Sequence, residues 1–396
     1  MASPQASLPL TLLLGVLVAL TALGMDMFLP AVPVIAQAFG AEPGAAQLAV
    51  TSYLLGLALG QFAWGPLSDR FGRKPALVCG LALFFASSIA GAWAASVHAV
   101  VLLRFVQGVG MSSGPVVARS VVRDLYAREK AAHLLARMMV VFGMVPVLAP
   151  LAGALALAWR GWPAVFWLLS AAAVGLLVAV VSGLRETAPA ERPPMAPRRI
   201  AANYARLLSD RRFAAPLSVM LCAQLGIIAF VSSSALAMVQ ALQLTPTAFS
   251  LLFATVMLGQ MAGGYVGSRL VHRLGIARMM RIGSSLGLAA SALLAALAYA
   301  GAPHWSAIVL PMIGYIFACA FIVPNATAAA LSPFPQMAGV ASSLMGVLPF
   351  GLGALLSAAL AAAFDGSARP MAYAIAFFGI CAFLCERFIF RKFANG

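Results

Sequence analysis

The chain has 396 residues, of which 63% are hydrophobic and only 9% are charged, and its formal net charge is +15. About a quarter of the residues in ordinary soluble domains are charged, so this composition excludes a soluble globular protein. Continuous apolar runs recur along the whole length, whereas β-barrel strands alternate polar and apolar residues, so the sequence predicts an all-α membrane protein.

Twelve apolar runs are long enough to cross the hydrocarbon core of a bilayer, which is roughly 30 Å thick. In chain order they cover residues 8–38, 46–67, 75–95, 98–122, 134–158, 163–183, 214–238, 249–270, 278–300, 305–330, 337–363 and 370–390. The one long hydrophilic segment, 185–213, separates six runs from six. The sequence therefore predicts two pseudo-symmetric six-helix halves, 1–184 and 214–396, joined by this linker. Its second part is either a short amphipathic helix on the membrane surface or a solvated tether.

The basic residues fall almost entirely on one side of the predicted spans, because only Arg160 and Arg369 lie on the other side. The positive-inside rule then places both termini in the cytoplasm. The positive charge is thus a topology signal, and no nucleic-acid partner is expected. No basic segment precedes the first apolar run, so a cleaved signal peptide is not expected either.

The first predicted span contains one carboxylate, Asp26, within the sequence TALGMDMFLP. A charge at the centre of a bilayer helix costs from about 2.5 to more than 10 kcal/mol, so an acid kept there indicates a function. Pro30 lies four residues later and has no N–H to donate to the carbonyl of residue 26, which predicts a break in the helix at the carboxylate. Proton binding is the favoured interpretation, and a structural acid locked to a partner such as Arg104 is the alternative.

The most specific string in the chain is GPLSDRFGRKPAL, residues 65–77, between the second and third spans. Its Asp69 follows the end of a helix, where the helix dipole disfavours an anion, so it needs positive potential nearby. Two sources are expected: Arg73, which Asp124 would hold in place, and the N-terminus of the eleventh helix when the cytoplasmic side is closed. The candidate gating residues are Gly65, Asp69, Arg70, Gly72, Arg73 and Asp124.

A faint internal repeat relates the two halves. DRFGRK, which begins at residue 69, aligns with HRLGIA, which begins at residue 272, and matches Gly72 with Gly275. Duplicated six-helix halves are typical of transporters that rock about a central site. The same offset pairs Asp26 and Arg104 with alanines, so the ionisable residues are concentrated in the N-terminal half.

Arg104 is the only basic residue deep in the outer half of a predicted span. An unpaired guanidinium there is costly, so we expect it to face the protein interior, in a substrate or proton-coupling role or in a structural polar network. Candidate substrate-binding residues are Asp26, Tyr53, Arg104, Gln107, Gln224 and Asn325. For the uncharged members, a helix–helix hydrogen bond is the alternative. Pro146 and Pro150 predict a kink in the fifth span.

Several of these strings resemble those of a known family. GPLSDRFGRKPAL resembles the signature loop of the major facilitator superfamily, and RFVQGVG resembles its fourth-helix motif. LGMDMFLPAVPVIA and VVARSVVRDLY together are similar to the Bcr/CflA branch of bacterial drug:proton antiporters, which includes bicyclomycin and chloramphenicol/florfenicol exporters. One departure is APLAGA at residues 149–154, where the antiporter motif has Gly-Pro-x-x-Gly-Gly, so two glycines are alanines here.

The resemblance implies the major facilitator fold and a proton-coupled multidrug efflux antiporter of the bacterial cytoplasmic (inner) membrane. It would export amphipathic drug-like compounds, similar to phenicols or bicyclomycin, by alternating access, as a monomer in the lipid bilayer. The alternative is a proton-coupled carrier or facilitator of a small metabolite, and a non-transporting receptor is more distant. Only one deep carboxylate is present, which favours neutral or weakly charged drugs over dications.

Other functional classes are disfavoured by what the sequence lacks. It has no GxxxxGK[ST] loop, which excludes ATP-driven transport, and no constellation typical of an enzyme. Cys381 and Cys385 share a helix face but have no histidine or acidic companions, so neither a metal site nor a cofactor is expected.

Overall fold

The computed structural model describes residues 8–126, 128–188, 197–302 and 304–390, and all regular structure in these ranges is helical. The chain divides into two compact units, Met1–Met195 and Ala196–Gly396. The division falls inside the predicted linker.

The first unit contains eight α-helices within its described residues. They are α1 (Leu8–Asp26), α2 (Val32–Ala38), α3 (Pro43–Phe71), α4 (Arg73–Ala92), α5 (Val97–Met111), α6 (Ser113–Leu125), α7 (Arg128–Arg160) and α8 (Pro163–Gly183). A 3-10 turn, Leu29–Ala31, separates α1 from α2. Because α1 continues into α2 and α5 continues into α6, the eight helices make the six predicted spans of this half.

The second unit contains six α-helices within its described residues. They are α9 (Pro197–Ser209), α10 (Arg211–Ala235), α11 (Pro246–Tyr299), α12 (Ser306–Leu331), α13 (Ala338–Ala362) and α14 (Arg369–Leu384). A π-helical turn extends α10 to Ala241, and another extends α14 to Phe390.

The twelve predicted spans correspond to eleven long apolar helices among the described residues, because α11 accounts for two of them. This helix has 54 residues and is interrupted at Gly275, whose φ of 75° and ψ of 164° are not helical. The parts on either side, 246–274 and 276–299, are each longer than the roughly 20 residues that a bilayer requires. The prediction of six spans in this half is therefore confirmed.

The faint sequence repeat is also visible in the backbone. Gly72, between α3 and α4, has φ 111° and ψ 157°, and its sequence partner Gly275 has nearly the same ψ and also a positive φ. Side chains with a Cβ avoid this region, so glycine permits the same sharp connection in both halves.

The second part of the linker is a helix, α9, which confirms one of the two predicted alternatives for its secondary structure. It packs on α10 and α13 of its own unit. Leu207 is fully buried there, and the hydroxyl groups of Tyr204 and Ser343 form a hydrogen bond of 3.0 Å. The second unit thus begins with a helix that packs on the rest of the unit and not with a free tether.

Close packing of α3 against α5 positions the polar residues of the first unit. A Cβ added at Gly108 would lie 2.3 Å from the Tyr53 carbonyl oxygen, and one added at Gly56 would lie 2.2 Å from that of Phe105. Only residues without a side chain allow two helices to approach so closely. This contact brings Tyr53 of α3 next to Arg104 of α5.

Candidate functional site

Asp26 is the last residue of α1, so the predicted helix break occurs at the carboxylate. Pro30 lies in the 3-10 turn that follows, where its fixed φ is tolerated and its missing N–H leaves the helical ladder interrupted. The Asp26 side chain is buried, with 6% of the residue exposed. The break therefore places a carboxylate and irregular backbone together inside the protein.

Arg104 is fully buried on α5. Its Nη1 donates hydrogen bonds of 2.9 Å to the carbonyl oxygen of Gly24 and to Oε1 of Gln107. The guanidinium also lies 4.2 Å from the ring centroid of Phe28 and 4.1 Å from that of Tyr53. Cation–π contacts of this kind contribute about 2 kcal/mol or more when they are desolvated, which helps to keep the charge inside the protein.

The predicted pairing of Asp26 with Arg104 is not an ion pair in the described structure, which contains no salt bridge between them. Arg104 instead contacts Gly24 and Phe28, two residues before and two residues after the carboxylate. Its Nε and Nη2 donate to no atom within the described residues, although both are buried. A buried arginine with two unused donors beside a buried acid is an arrangement suited to binding a further polar group.

Tyr53 and Gln107 complete this group, which we call the Asp26 cluster (Asp26, Tyr53, Arg104 and Gln107). The Tyr53 hydroxyl donates to the carbonyl oxygen of Thr21 at 2.9 Å. The Gln107 side chain accepts from Arg104 and donates from Nε2 to the Ser88 hydroxyl at 2.7 Å. Four of the six predicted substrate-binding residues are thus brought together within the N-terminal half.

The remaining two candidates lie in the C-terminal unit. Asn325 is buried on α12, and its Nδ2 donates to the carbonyl oxygen of Phe321 one turn earlier, at 2.8 Å. Gln224 is partly exposed on α10. The Asn325 contact lies within α12 and is not the helix–helix hydrogen bond that is the alternative to a binding role, so a binding role for either residue stays a prediction.

The predicted gating residues form a second charged group at the α3–α4 junction. Arg73 pairs with Asp69, which lies four residues earlier on the other side of the Gly72 connection, and its Nε lies 2.9 Å from Oδ2 of Asp124. Its Nη1 also donates to the Ser68 hydroxyl at 2.9 Å. Asp124 therefore holds the arginine, as the sequence predicted. We call Asp69, Arg73 and Asp124 the loop triad.

The other gating and kink candidates have simpler surroundings. Arg70 stacks on Phe71, with 5.6 Å between the guanidinium and the ring centroid. A Cβ at Gly65 would meet no atom within 4 Å. Pro146 and Pro150 both lie inside α7, which is assigned as one helix from Arg128 to Arg160.

Two acidic residues were missed by the sequence reasoning. Glu186, three residues after the end of α8, accepts hydrogen bonds from the backbone of the α4 N-terminus. Glu386, in the π-helical turn after α14, is only 1% exposed and lies 3.8 Å from Nε of Arg281. Asp26 is therefore not the only buried acid among the described residues, although Glu386 lies at the end of the last predicted span and not deep within it. Its place in the sequence, within the last predicted span but next to Arg387, indicates the end of a span and gives no sign of its burial.

Comparison with known proteins shows which protein family the sequence matches. The Major Facilitator Superfamily profile matches residues 14–358. The bicyclomycin resistance protein homolog of Haemophilus influenzae is 30% identical over 375 residues, covering 91% of each chain. The chloramphenicol resistance protein of Pseudomonas aeruginosa is 31% identical over 85% of this chain and 81% of its own. Multidrug resistance protein D of Escherichia coli is 28% identical over 89% of each.

Solved structures agree on the architecture. A POT family transporter in complex with 5-aminolevulinic acid superposes with a TM-score of 0.79 at 12% identity, covering 98% of this chain and 96% of its own. A D-xylose-proton symporter superposes with a TM-score of 0.72 at 17% identity, covering 96% and 97%. At such low identities the likeness concerns the fold alone.

Proposed function

The chain belongs to the Major Facilitator Superfamily, and we propose that it is a proton-coupled exporter of amphipathic drugs. It is a multi-pass membrane transport protein and not an enzyme. Relatives that match most of its length carry the names of bicyclomycin, chloramphenicol and multidrug resistance proteins, which supports a drug as the substrate.

The observation that carries the proposal is the Asp26 cluster. Asp26 is buried at a helix break without an ion pair to Arg104, so its carboxylate is available to bind a proton. In the proposed cycle, Asp26 takes up a proton from the outer side as drug leaves. It loses that proton toward the cytoplasm when the next drug molecule binds. One carboxylate can couple the two fluxes if its protonated and drug-bound states exclude each other.

Arg104 supplies the recognition chemistry in this proposal. Its two unused donors would bond to carbonyl or hydroxyl oxygens of a drug, and the rings of Phe28 and Tyr53, which pack on the guanidinium in this structure, would add apolar contact in a drug-bound state. Oxygen acceptors next to apolar surface are the features of an amphipathic compound.

The remaining features of the proposal follow from the charge pattern and the family. The protein would lie in the bacterial cytoplasmic membrane with both termini inside, and it would work as a monomer by alternating access. The loop triad would then lie on the cytoplasmic side. Reporter fusions after residues 184 and 396 test the orientation, because both should report a cytoplasmic location.

The test of the function is drug-dependent proton movement in proteoliposomes that contain the full chain. With an imposed pH gradient, addition of chloramphenicol or bicyclomycin should cause protons to be released on the side of the membrane to which the drug is added. Empty liposomes are the control. If no drug moves protons but a labelled sugar or amino-acid derivative shows counterflow, the protein is a metabolite carrier and the drug proposal is wrong.

A further inference from the structure

Glu186 joins the beginning of the linker to the loop between α3 and α4. One of its carboxylate oxygens accepts from the backbone N–H of Arg73 at 2.8 Å, and the other accepts from that of Lys74 at 3.2 Å. These two donors belong to the first two residues of α4, more than one hundred positions earlier in the chain. The contact is therefore a tertiary one.

The α4 N-terminus needs a cap that its own sequence does not supply. The first N–H groups of a helix have no partner within the helix, and a side chain at the N-cap position usually accepts from them. Here that position is Gly72, which has no side chain. A Cβ at Gly72 would lie 2.4 Å from Oε2 of Glu186, so the glycine leaves room for a carboxylate from elsewhere. A negative charge is also favourable at a helix N-terminus.

The carboxylate is itself held in place by the linker. Its Oε1 accepts from the backbone N–H groups of Thr187 and Ala188, both at 2.9 Å. Partial burial disfavours the charged form, but the four backbone donors outweigh it, so the pKa of Glu186 lies below its usual value. The Thr187 hydroxyl adds a bond of 3.4 Å to Asp124 of the loop triad.

A further contact runs between the same two segments. The Lys74 ammonium donates to the carbonyl oxygen of Val181, in the last turn of α8, at 2.6 Å. The last turn of α8 and the segment that follows it thus make four hydrogen bonds to the α4 N-terminus and the loop triad: two from backbone N–H groups, one from the Lys74 side chain and one to Asp124. Arg73 is anchored through both its backbone and its guanidinium.

We propose that Glu186 is a positioning residue that fixes the backbone of Arg73, so that the guanidinium of Arg73 can bridge Asp69 and Asp124. The consequence for transport rests on the function proposed above, because the loop triad matters only if it gates a transport cycle. The start of the linker then has a structural function in the N-terminal half, where it positions Arg73, in addition to connecting the two halves.

The first test measures the hydrogen bonds themselves by residue-resolved amide hydrogen exchange of the full chain in nanodiscs. In Glu186→Ala, exchange at the Arg73 and Lys74 amides should accelerate by roughly tenfold or more, since hydrogen bonds to a charged group are lost. Glu186→Gln keeps one accepting oxygen and should give a smaller change. Arg185→Gln changes the neighbouring exposed charge and serves as the matched control. Unchanged exchange at both amides in Glu186→Ala would overturn the proposal.

The second test separates positioning from simple stability. Glu186→Ala should lower the maximal transport rate several-fold with drug affinity unchanged, and Glu186→Gln should recover part of the rate. A normal rate despite fast exchange at both amides would contradict the positioning role. If the wild-type chain moves no drug, the proposed function fails, and the exchange measurement still decides whether Glu186 caps α4.

Discussion

At the residue scale, the groups that surround Arg104 determine which functions this residue can have. Two oxygen acceptors and two aromatic rings hold the guanidinium, so it does not need a carboxylate to remain inside the protein. Neutralising Asp26 by protonation therefore breaks no ion pair in this state. This suits an acid that binds a proton during transport, because Asp26 can be protonated and deprotonated without disrupting the contacts that hold Arg104.

The first prediction concerns Asp26. Asp26→Asn should preserve folding, because the carboxamide has nearly the same shape and no ion pair with Arg104 is lost. Drug-dependent proton release in proteoliposomes should fall to the level of empty liposomes, since an amide cannot carry a proton through a cycle. Glu42→Gln, at an exposed acid, is the matched control. Normal proton release by Asp26→Asn would remove this residue from the mechanism.

The second prediction concerns the geometry of Arg104. Lysine keeps the charge but loses the planar fork that contacts Gly24, Gln107 and two rings at once. Arg104→Lys should therefore retain part of the transport, and Arg104→Ala should lose nearly all of it. Initial rates over a range of drug concentrations measure this. Near-normal rates in both variants would assign Arg104 to a structural network only.

The sequence allowed only part of this site to be predicted. The cost of burying charge identified Asp26 and Arg104, and the proline rule located the helix break. The partners of Arg104 are backbone and aromatic groups that carry no distinctive sequence signal. Glu186 was missed for a related reason: its partners are backbone N–H groups of a distant helix, and any residue except proline offers those.

At the element scale, small residues determine how α3 and α5 meet and hence how the Asp26 cluster is assembled. The hydropathy pattern predicted where each span lies because bilayer thickness sets a minimum length, although α3 and α7 extend beyond the predicted 46–67 and 134–158. It did not identify Gly56 and Gly108 as contact points, since close approach depends on which helix faces which. The sharp connection between the two spans of α11 likewise depends on the backbone angles at Gly275, which hydropathy does not report.

The third prediction tests this helix contact. Gly108→Ala would place a methyl group 2.3 Å from the Tyr53 carbonyl oxygen, so two backbones must separate. Overpacking of this kind typically costs about 1–3 kcal/mol, which exceeds the roughly 1 kcal/mol that alanine gains over glycine in a helix. Thermal unfolding in detergent should therefore occur at a lower temperature. Gly175→Ala in α8 meets no atom within 4 Å and should be neutral or stabilising. Equal unfolding temperatures for the two variants would contradict the predicted packing.

At the scale of the whole molecule, the two halves share a backbone pattern but differ in chemistry. Gly72 and Gly275 occupy matching positions with positive φ, as expected for duplicated halves. The Asp26 cluster and the loop triad both belong to the N-terminal unit, whereas the buried acid of the C-terminal unit, Glu386, lies near Arg281 at the end of its last span. The ionisable candidate residues therefore lie in the N-terminal half, as the sequence predicted, and Glu386 is one further buried carboxylate in the C-terminal half.

The last prediction concerns the loop triad and the cycle of the whole transporter. Asp69 pairs with Arg73, whose side chain is only 7% exposed, but the side chain of Asp69 itself is 47% exposed, so the pair is half solvated. When Asp69 is neutralised, Arg73 keeps its ion pair with Asp124 and its hydrogen bond to Ser68, so we expect the loss of the half-solvated Asp69 charge to cost little stability, about 0–1 kcal/mol. Asp69→Asn should leave the unfolding temperature and drug binding unchanged while it slows transport several-fold, because closure of the cytoplasmic side is disfavoured.

Labelling of single cysteines measures this directly. In a background without the five natural cysteines, positions on the predicted cytoplasmic face should react faster with a membrane-impermeant maleimide in Asp69→Asn than in the parent. Glu42→Gln, an exposed acid on the predicted outer side, should leave the labelling rates unchanged. If labelling, binding and transport of Asp69→Asn all equal those of the parent, Asp69 serves only as a surface charge, and the gating role of the loop triad is wrong.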